Sequence, residues 1–146
     1  MAQHADGAFD ESQAFGQQVA DSAEAFLRAL QAISLSGEEP GAASTAIPLL
    51  LLDVSQIMLT GARLGAQVDF EIEDPYQPDV GPDPDLDAMR LRLADVLGDA
   101  DTYRHNFEPY APSTIPALLS DDLTSMASDI ANGLRHFRAG NLSEAL

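Results

Sequence analysis

The spacing of the apolar residues near the carboxyl end of the chain constrains the fold most strongly. From Leu119 to Phe137 the large apolar side chains recur at intervals of four, three, four, four and three residues. An α-helix, with about 3.6 residues per turn, places such positions on one face. Gly140 follows, and glycine is a common residue immediately after a helix. We therefore predict an amphipathic helix over about residues 118–139.

Three further helices are predicted by the same criterion. Residues 10–33 carry apolar side chains at steps of three and four, which lie on one helical face. Residues 46–64 are apolar around most of the helix circumference, and a helix of that kind usually lies within the core. We therefore expect this second helix to be the central and most buried one. A third helix is predicted to begin near Asp83 or Asp85, where acidic residues favour a helix N-terminus, and to end at Gly98.

The segment between the second and third helices is acidic and rich in proline. Residues 69–87 contain eight acidic residues, four prolines and no basic residue. Val68, Phe70 and Ile72 alternate with acidic residues, which is typical of a strand. Because no second strand candidate is present to pair with this one, we predict an extended loop over residues 67–82.

Together these elements predict an all-α fold. We expect an antiparallel four-helix bundle with a long acidic, proline-rich loop between helices 2 and 3 and the start of a fifth helix. Residues 1–9 are expected to form a flexible tail, and residues 10–146 a single helical domain. Residues 99–116 contain three prolines and are expected to be irregular.

The last residues predict the beginning of a fifth helix. Asn141 is a suitable N-cap, and Leu142 and Leu146 fall on one helical face. The sequence holds only about one turn of this helix, and so short a helix has little stability of its own. We therefore expect the chain to be a fragment of a longer protein, truncated at its C-terminus. Phe137 and Leu146 would then form an exposed apolar face suited to homo-oligomerisation.

The charge of the chain excludes several classes of partner. Its net charge is -17 at pH 7, and all seven basic residues are arginines. Such a surface repels phosphate backbones and anionic lipid headgroups, so we predict no binding to nucleic acid or to membranes. The N-terminus lacks the features of a signal peptide, and the most apolar stretch, residues 47–59, contains Pro48 and Asp53 and is too short and too polar to span a bilayer. A cytoplasmic location is therefore expected.

Few residues are candidates for catalysis. Glu24 and Asp53 could supply carboxylates for magnesium, as in the all-α nucleotide pyrophosphohydrolases, although the acidic i, i+3 spacing of those enzymes is met only once on a predicted helix, by Asp21 and Glu24. His105 lies in a polar and aromatic cluster and is a candidate general base. The chain has no lysine and no cysteine, which excludes Schiff-base and thiolate chemistry. We predict no metal and no cofactor, and keep a metal-dependent nucleotide hydrolase as the alternative function.

The acidic segment is the predicted binding site for a partner. Phe70, Ile72 and Tyr76 supply apolar anchors among the acidic residues, and such anchors carry much of the energy of an interface. Asp74 and Asp79 would attract a basic surface. We therefore predict a non-enzymatic interaction or regulatory module that binds an unidentified, basic protein partner here. The alternative is that the segment is only a solvated connection.

Three stretches of the sequence resemble a known family. They are LLLLDVSQIMLTGARLG, DPYQPDVGPDPDLDAMRLRL and SDDLTSMASDIANGLRHFRAGNLSEAL. They are similar to an uncharacterised bacterial family, found mainly in actinomycetes, that is defined as a domain of unknown function. The resemblance covers residues 15–146 and implies that members continue into a tryptophan-rich helix. The family has no established activity, so the resemblance assigns no catalytic residue.

Overall fold

The computed structural model describes residues 3–37, 41–67, 78–106, 108, 110 and 112–141. Within these residues the chain is mostly helical, as predicted, and it also contains two short strands. The helices are α1 (Gln3–Ser34), α2 (Ala42–Gln67), α3 (Asp87–Leu97) and α4 (Leu119–Ala139). A 3₁₀ turn (Gly98–Ala100) follows α3, and the strands β1 (Thr102–His105) and β2 (Ile115–Leu118) precede α4.

The two strands correct the prediction of an all-α fold. β1 and β2 pair antiparallel, with Thr102 opposite Leu118. Arg104 supports the pair, because its guanidinium donates hydrogen bonds to the hydroxyl and the carbonyl of Thr114 at 2.6 and 2.9 Å. Strands of four residues give little periodic signal, and Pro116 in β2 argues against a strand. A two-stranded sheet tolerates this proline because both of its strands are edge strands.

The main core lies between α1, α3, α4 and one side of α2. Leu30 of α1 and Leu93 and Leu97 of α3 are almost completely buried. α1 packs against all three other helices, and α3 also packs against α4. The buried apolar side chains of this core are Phe26, Leu30, Ile33, Ala46, Leu50, Met89, Leu93, Val96, Leu97, Leu123 and Ala127.

The prediction that α2 is the most buried helix is wrong. Leu51 is 68% exposed and Met58 is 67% exposed, whereas Leu93 of α3 is 0% exposed. α2 packs mainly against α1 and α3, and these neighbours cover only one side of it. Its sequence is apolar around most of the helix, so many of its large side chains are left uncovered. Hydropathy predicted the helix but not how many neighbours it has.

Two other helices begin at different residues from those predicted. α1 begins at Gln3 rather than near residue 10, so residues 3–9 belong to the first helix. α3 begins only at Asp87; the carboxylate of Asp85 accepts the N–H of Asp87 at 3.1 Å, and a side chain of α4 also contacts the segment before the helix. The guanidinium of Arg135 donates hydrogen bonds to the carbonyls of Gly81, at 3.2 Å, and Pro82. Local sequence patterns do not reveal this contact, because its partners are more than fifty residues apart.

α4 confirms the amphipathic helix predicted from the apolar spacing, and it ends as predicted. Gly140 has a left-handed φ of 82°, which glycine adopts without strain. The N–H groups of Gly140 and Asn141 donate to the carbonyls of Phe137 and His136 at 3.1 and 2.9 Å, which satisfies two of the last helical carbonyls. Residues 142–146, where the fifth helix was predicted, lie outside the described residues.

A buried carboxylate connects the strands to the start of α4. Asp101, between the 3₁₀ turn and β1, is only 6% exposed. Its carboxylate accepts hydrogen bonds from the N–H of Ser120 at 2.7 Å and from the Ser120 hydroxyl at 3.0 Å. The carbonyl of Asp101 accepts the N–H of Leu119 at 2.8 Å. Asp101 thus caps a helix that has no side-chain cap of its own, and its charge favours that helix N-terminus.

Burial distinguishes the contributions of two leucines to stability. Leu93→Ala should lower the free energy of unfolding by about 2–5 kcal/mol, because it leaves a cavity in the packed core. Leu51→Ala, on the exposed side of α2, should change it by less than about 0.5 kcal/mol. Urea unfolding of the two variants measures both effects. An equal loss in the two variants would place α2 in the core and contradict this description.

The cap at Asp101 gives a second stability prediction. Asp101→Ala should lower the free energy of unfolding by about 1–3 kcal/mol, because the buried donors of Ser120 lose their acceptor. Asp99→Ala, at an exposed position in the adjacent 3₁₀ turn, is the matched control and should have little effect. Thermal or urea unfolding gives the comparison, and indistinguishable variants would show that the cap contributes nothing.

Candidate functional site

The exposed side of α2 carries most of the large apolar side chains that are exposed among the described residues. We call it the α2 face. The only charged residues of α2 are Asp53, which is half-buried, and Arg63, near the end of the helix. Helical spacing places Ile47, Leu51 and Met58 in one row and Leu52 and Leu59 in a second row beside it, with Leu49 at the far edge. The α2 face consists of Ile47, Leu49, Leu51, Leu52, Met58 and Leu59.

α2 is also long and apolar enough to cross a membrane, judged by length and composition alone. The stretch that meets this criterion is Ala42–Ala66, so the prediction that the apolar region is too short and too polar is wrong. Within the protein, α2 packs against α1 and α3 on one side. α1 packs against α2 and carries Asp21, Glu24 and Arg28, none of which is buried. A bilayer surrounding α2 would bring these charged groups towards hydrocarbon, which is costly.

A groove of about 300 Å³ lies between α1, α2 and α4. Its deepest residues are the buried Ala20 and Ala23 of α1 and Leu134 of α4. Ile57 of α2 and Phe137 of α4 line its sides and are half-buried. The groove is therefore apolar, and we call it the α1–α2–α4 groove.

One glycine allows α1 and α4 to approach closely beside the groove. A Cβ atom added to Gly16 would lie 3.2 Å from Cε2 of Phe137, which is closer than side chains normally pack. The ring of Phe137 therefore lies directly against the α1 backbone. The sequence predicts that Phe137 belongs to an exposed C-terminal apolar face. In the structure Phe137 is half-buried, and this contact fixes the position of its ring. Leu146, the other residue of that face, lies outside the described residues.

The three candidate catalytic residues are not brought together. Glu24 is ion-paired, with its carboxylate oxygens 2.6 Å from Nη2 of Arg138 and 3.4 Å from Nη1 of Arg28. Asp53 lines a different cavity from Glu24, and His105 is exposed at the end of β1. Within the described residues, no cluster of three histidine, aspartate or glutamate side chains could hold a metal ion. The arrangement offers no shared centre for the hydrolase chemistry kept as an alternative.

The predicted partner-binding residues fall mostly outside the described part of the chain. Phe70, Ile72, Asp74 and Tyr76 are not among the described residues, so docking through them remains a prediction. Asp79 is exposed, and its carboxylate accepts a hydrogen bond from the N–H of Gly81 at 2.8 Å. This bond closes a local turn, so Asp79 has a structural role, and its role in binding a partner stays a prediction.

Sequence reasoning missed both the α2 face and the groove. The sequence did contain a signal for the face. A helix that is apolar around its whole circumference needs neighbours on every side, and any side without a neighbour is left exposed. No local signal exists for the groove, because its lining residues come from three helices. Gly16, Gly61 and Gly133, one from each of those helices, are separated by long stretches of sequence.

Comparison with known proteins identifies the family. A family model described as a domain of unknown function (DUF5063) matches residues 10–146. The chain belongs to the DUF5063 family. This confirms the resemblance to an uncharacterised family, and the match includes the α2 face and the groove. No curated protein and no solved structure matches this DUF5063 chain.

One carboxylate of the DUF5063 domain is placed where its ionised form is disfavoured. Asp53, on the side of α2 towards α1, lines a cavity together with Phe26 and Ile57. Loss of water contact raises the pKa of Asp53 above the ordinary value for aspartate. The contribution of Asp53 to the free energy of unfolding is therefore most favourable below the pKa that this residue has in the unfolded chain. It is lost as the pH rises through the higher pKa of the folded state.

Asp53→Asn should therefore stabilise the DUF5063 domain at neutral pH. The gain should be under about 1 kcal/mol, because the side chain is partly exposed. It should shrink as the pH falls below about 4, where the aspartate is protonated in both states. Urea unfolding at several pH values measures this, with the exposed Asp95→Asn as the control. A gain that is independent of pH would exclude desolvation as the cause.

Proposed function

We propose that this chain is a non-enzymatic protein-interaction or regulatory module that docks a partner on the α2 face. The observation that carries the proposal is the exposure of two thirds of Leu51 and Met58 on an uncharged helix surface. Large exposed apolar patches on folded proteins commonly mark interaction sites. The proposal includes the antiparallel four-helix bundle predicted from the sequence, with the α2 face on the outside of the bundle. It also includes the predicted cytoplasmic location.

The energy available from this face is comparable with the cost of association. Complete burial of one large apolar side chain contributes about 1.5–3 kcal/mol. The six side chains of the α2 face are each roughly half exposed, so covering them would contribute on the order of 5–10 kcal/mol. Association costs about 4–15 kcal/mol in lost freedom of motion. A stable complex therefore needs the α2 face together with further contacts nearby.

The charge of the chain favours one class of partner over the others. A net charge of -17 repels nucleic acid and anionic lipid and attracts basic surfaces. A partner protein that offers an apolar patch with basic groups around it would satisfy both the α2 face and the acidic surroundings. The predicted acidic docking segment, residues 69–87, would then supply part of the charged rim.

Leu51→Glu should abolish capture of the partner. A carboxylate in the centre of the face would have to be buried without a counter-charge. Leu91→Glu is the matched control, because Leu91 is an exposed leucine of α3, outside the face. The immobilised wild-type chain and both variants are incubated with extract from the source organism, and bound proteins are identified by mass spectrometry. Circular dichroism checks the fold of each variant.

The expected result is a protein captured by the wild type and by Leu91→Glu but lost from Leu51→Glu. Binding of a hydrophobic dye should fall in Leu51→Glu more than in Leu91→Glu. Identical capture by both variants would show that the α2 face is not the docking surface.

A further inference from the structure

We infer that the α1–α2–α4 groove binds an amphipathic helix that carries basic residues, supplied by a partner protein. The inference rests on the proposed interaction function and assigns a second contact site next to the α2 face. It is carried by the shape of the groove, by its few polar groups and by the charges around it.

The shape of the groove suits inserted side chains. Its volume of about 300 Å³ lies at the lower end of the range for small-molecule sites. Its base is formed by Ala20 and Ala23, and Ile57 and Phe137 line its sides. Anchors on successive turns of a bound helix insert into grooves of this kind, which are open along their length and apolar at the base.

The polar groups of the groove are too few to orient a cofactor or small metabolite. Besides backbone atoms, the lining contains one hydroxyl, that of Thr60, and one carboxylate, that of Asp129. The Thr60 hydroxyl already donates a hydrogen bond to the carbonyl of Gln56 at 3.0 Å. Binding sites for small molecules usually place several polar groups around the ligand. The apolar side chains of a peptide fit this lining better.

The carboxylate of Asp129 determines the charge of the occupant. Asp129 is exposed on α4 and takes part in none of the ion pairs found among the described residues. Nearby arginines are engaged elsewhere: Arg28 and Arg138 with Glu24, and Arg135 with Asp83. Because Asp129 forms no ion pair with an arginine among the described residues, a basic group of the bound molecule can pair with it, and the net charge of -17 strengthens the attraction.

The groove and the α2 face are close enough for one partner to contact both. Gly61 lines the groove, and Met58 of the face precedes it by three residues, which is a neighbouring position on a helix. A Cβ atom added to Gly61 would meet no other atom within 4 Å, so the groove is open at this point. A bound helix can therefore approach the α2 backbone. A second copy of this chain would be a poor occupant, because most of its charged residues are acidic.

Binding of two synthetic peptides tests the inference. The probes are fluorescein-labelled amphipathic helices of about 18 residues, or roughly five helical turns. One is made of leucine and lysine, and its charge-reversed counterpart is made of leucine and glutamate. Fluorescence anisotropy at physiological salt measures their affinity for the full chain. The leucine–lysine peptide should bind at least about tenfold more tightly than the leucine–glutamate peptide.

Two pairs of variants separate the groove from general electrostatic attraction. Gly61→Leu fills the groove, whereas Gly65→Leu adds the same side chain one turn later, where no atom lies within 4 Å and no groove residue is replaced. Gly61→Leu should weaken leucine–lysine binding about tenfold or more, since it occupies the anchor position. Asp129→Asn should weaken it about threefold to tenfold, whereas the exposed Asp95→Asn removes the same charge elsewhere and should change it less than about twofold. Circular dichroism and thermal unfolding confirm that all four variants fold.

Three results would overturn the inference. The first is equal affinity of the leucine–lysine peptide for Gly61→Leu and Gly65→Leu. The second is binding of neutral phosphatidylcholine vesicles that is lost in Gly61→Leu, which would assign the groove to lipid. The third is self-association, measured by sedimentation, that is lost in Gly61→Leu. Failure of the proposed function is distinguishable, because it is read from Leu51→Glu, which leaves the groove unchanged.

Discussion

The packing of α1 against the three other helices is the interaction on which the rest of the structure depends. Leu30 is 1% exposed and lies in the same buried cluster as Leu93 of α3 and Leu123 of α4. Because α1 already packs against α3 and α4, α2 is left beside α1 and α3 with one side uncovered. The α2 face and the groove are both consequences of this arrangement. The helix that is most apolar in sequence therefore lies partly on the outside.

The sequence predicted the helices well, since apolar spacing is a local property that survives folding. It predicted poorly which helix is most buried, because burial depends on the neighbours that each helix gains in the folded structure. The start of α3 shows the same limit, because Arg135 contacts residues more than fifty positions earlier in the chain. The strands were missed because four residues with Pro116 among them give no strand signal. The three candidate catalytic residues do not form one site: Glu24 is ion-paired, Asp53 lines a separate cavity and His105 is exposed. The groove could not be predicted, because its lining residues come from three helices.

Charge and apolar surface have complementary effects in this molecule. A net charge of -17 produces repulsion between copies of the chain, which opposes their association through an exposed apolar helix face. Under the proposed function, the same charge would favour a partner that carries both apolar and basic groups, which would gain from the α2 face and from Asp129. Under this account the acidic composition and the uncovered helix are two parts of one recognition surface.

Methionine oxidation tests the exposure of the α2 face most directly, and the chain contains its own reference. Met58 lies on the face at 67% exposure, whereas Met89 lies in the core at 6%. Dilute hydrogen peroxide followed by peptide mass spectrometry gives the oxidation rate of each residue in the isolated chain. The account predicts that Met58 is oxidised much faster than Met89. Equal, slow oxidation of both residues would show that the face is covered within the chain itself and would contradict the account.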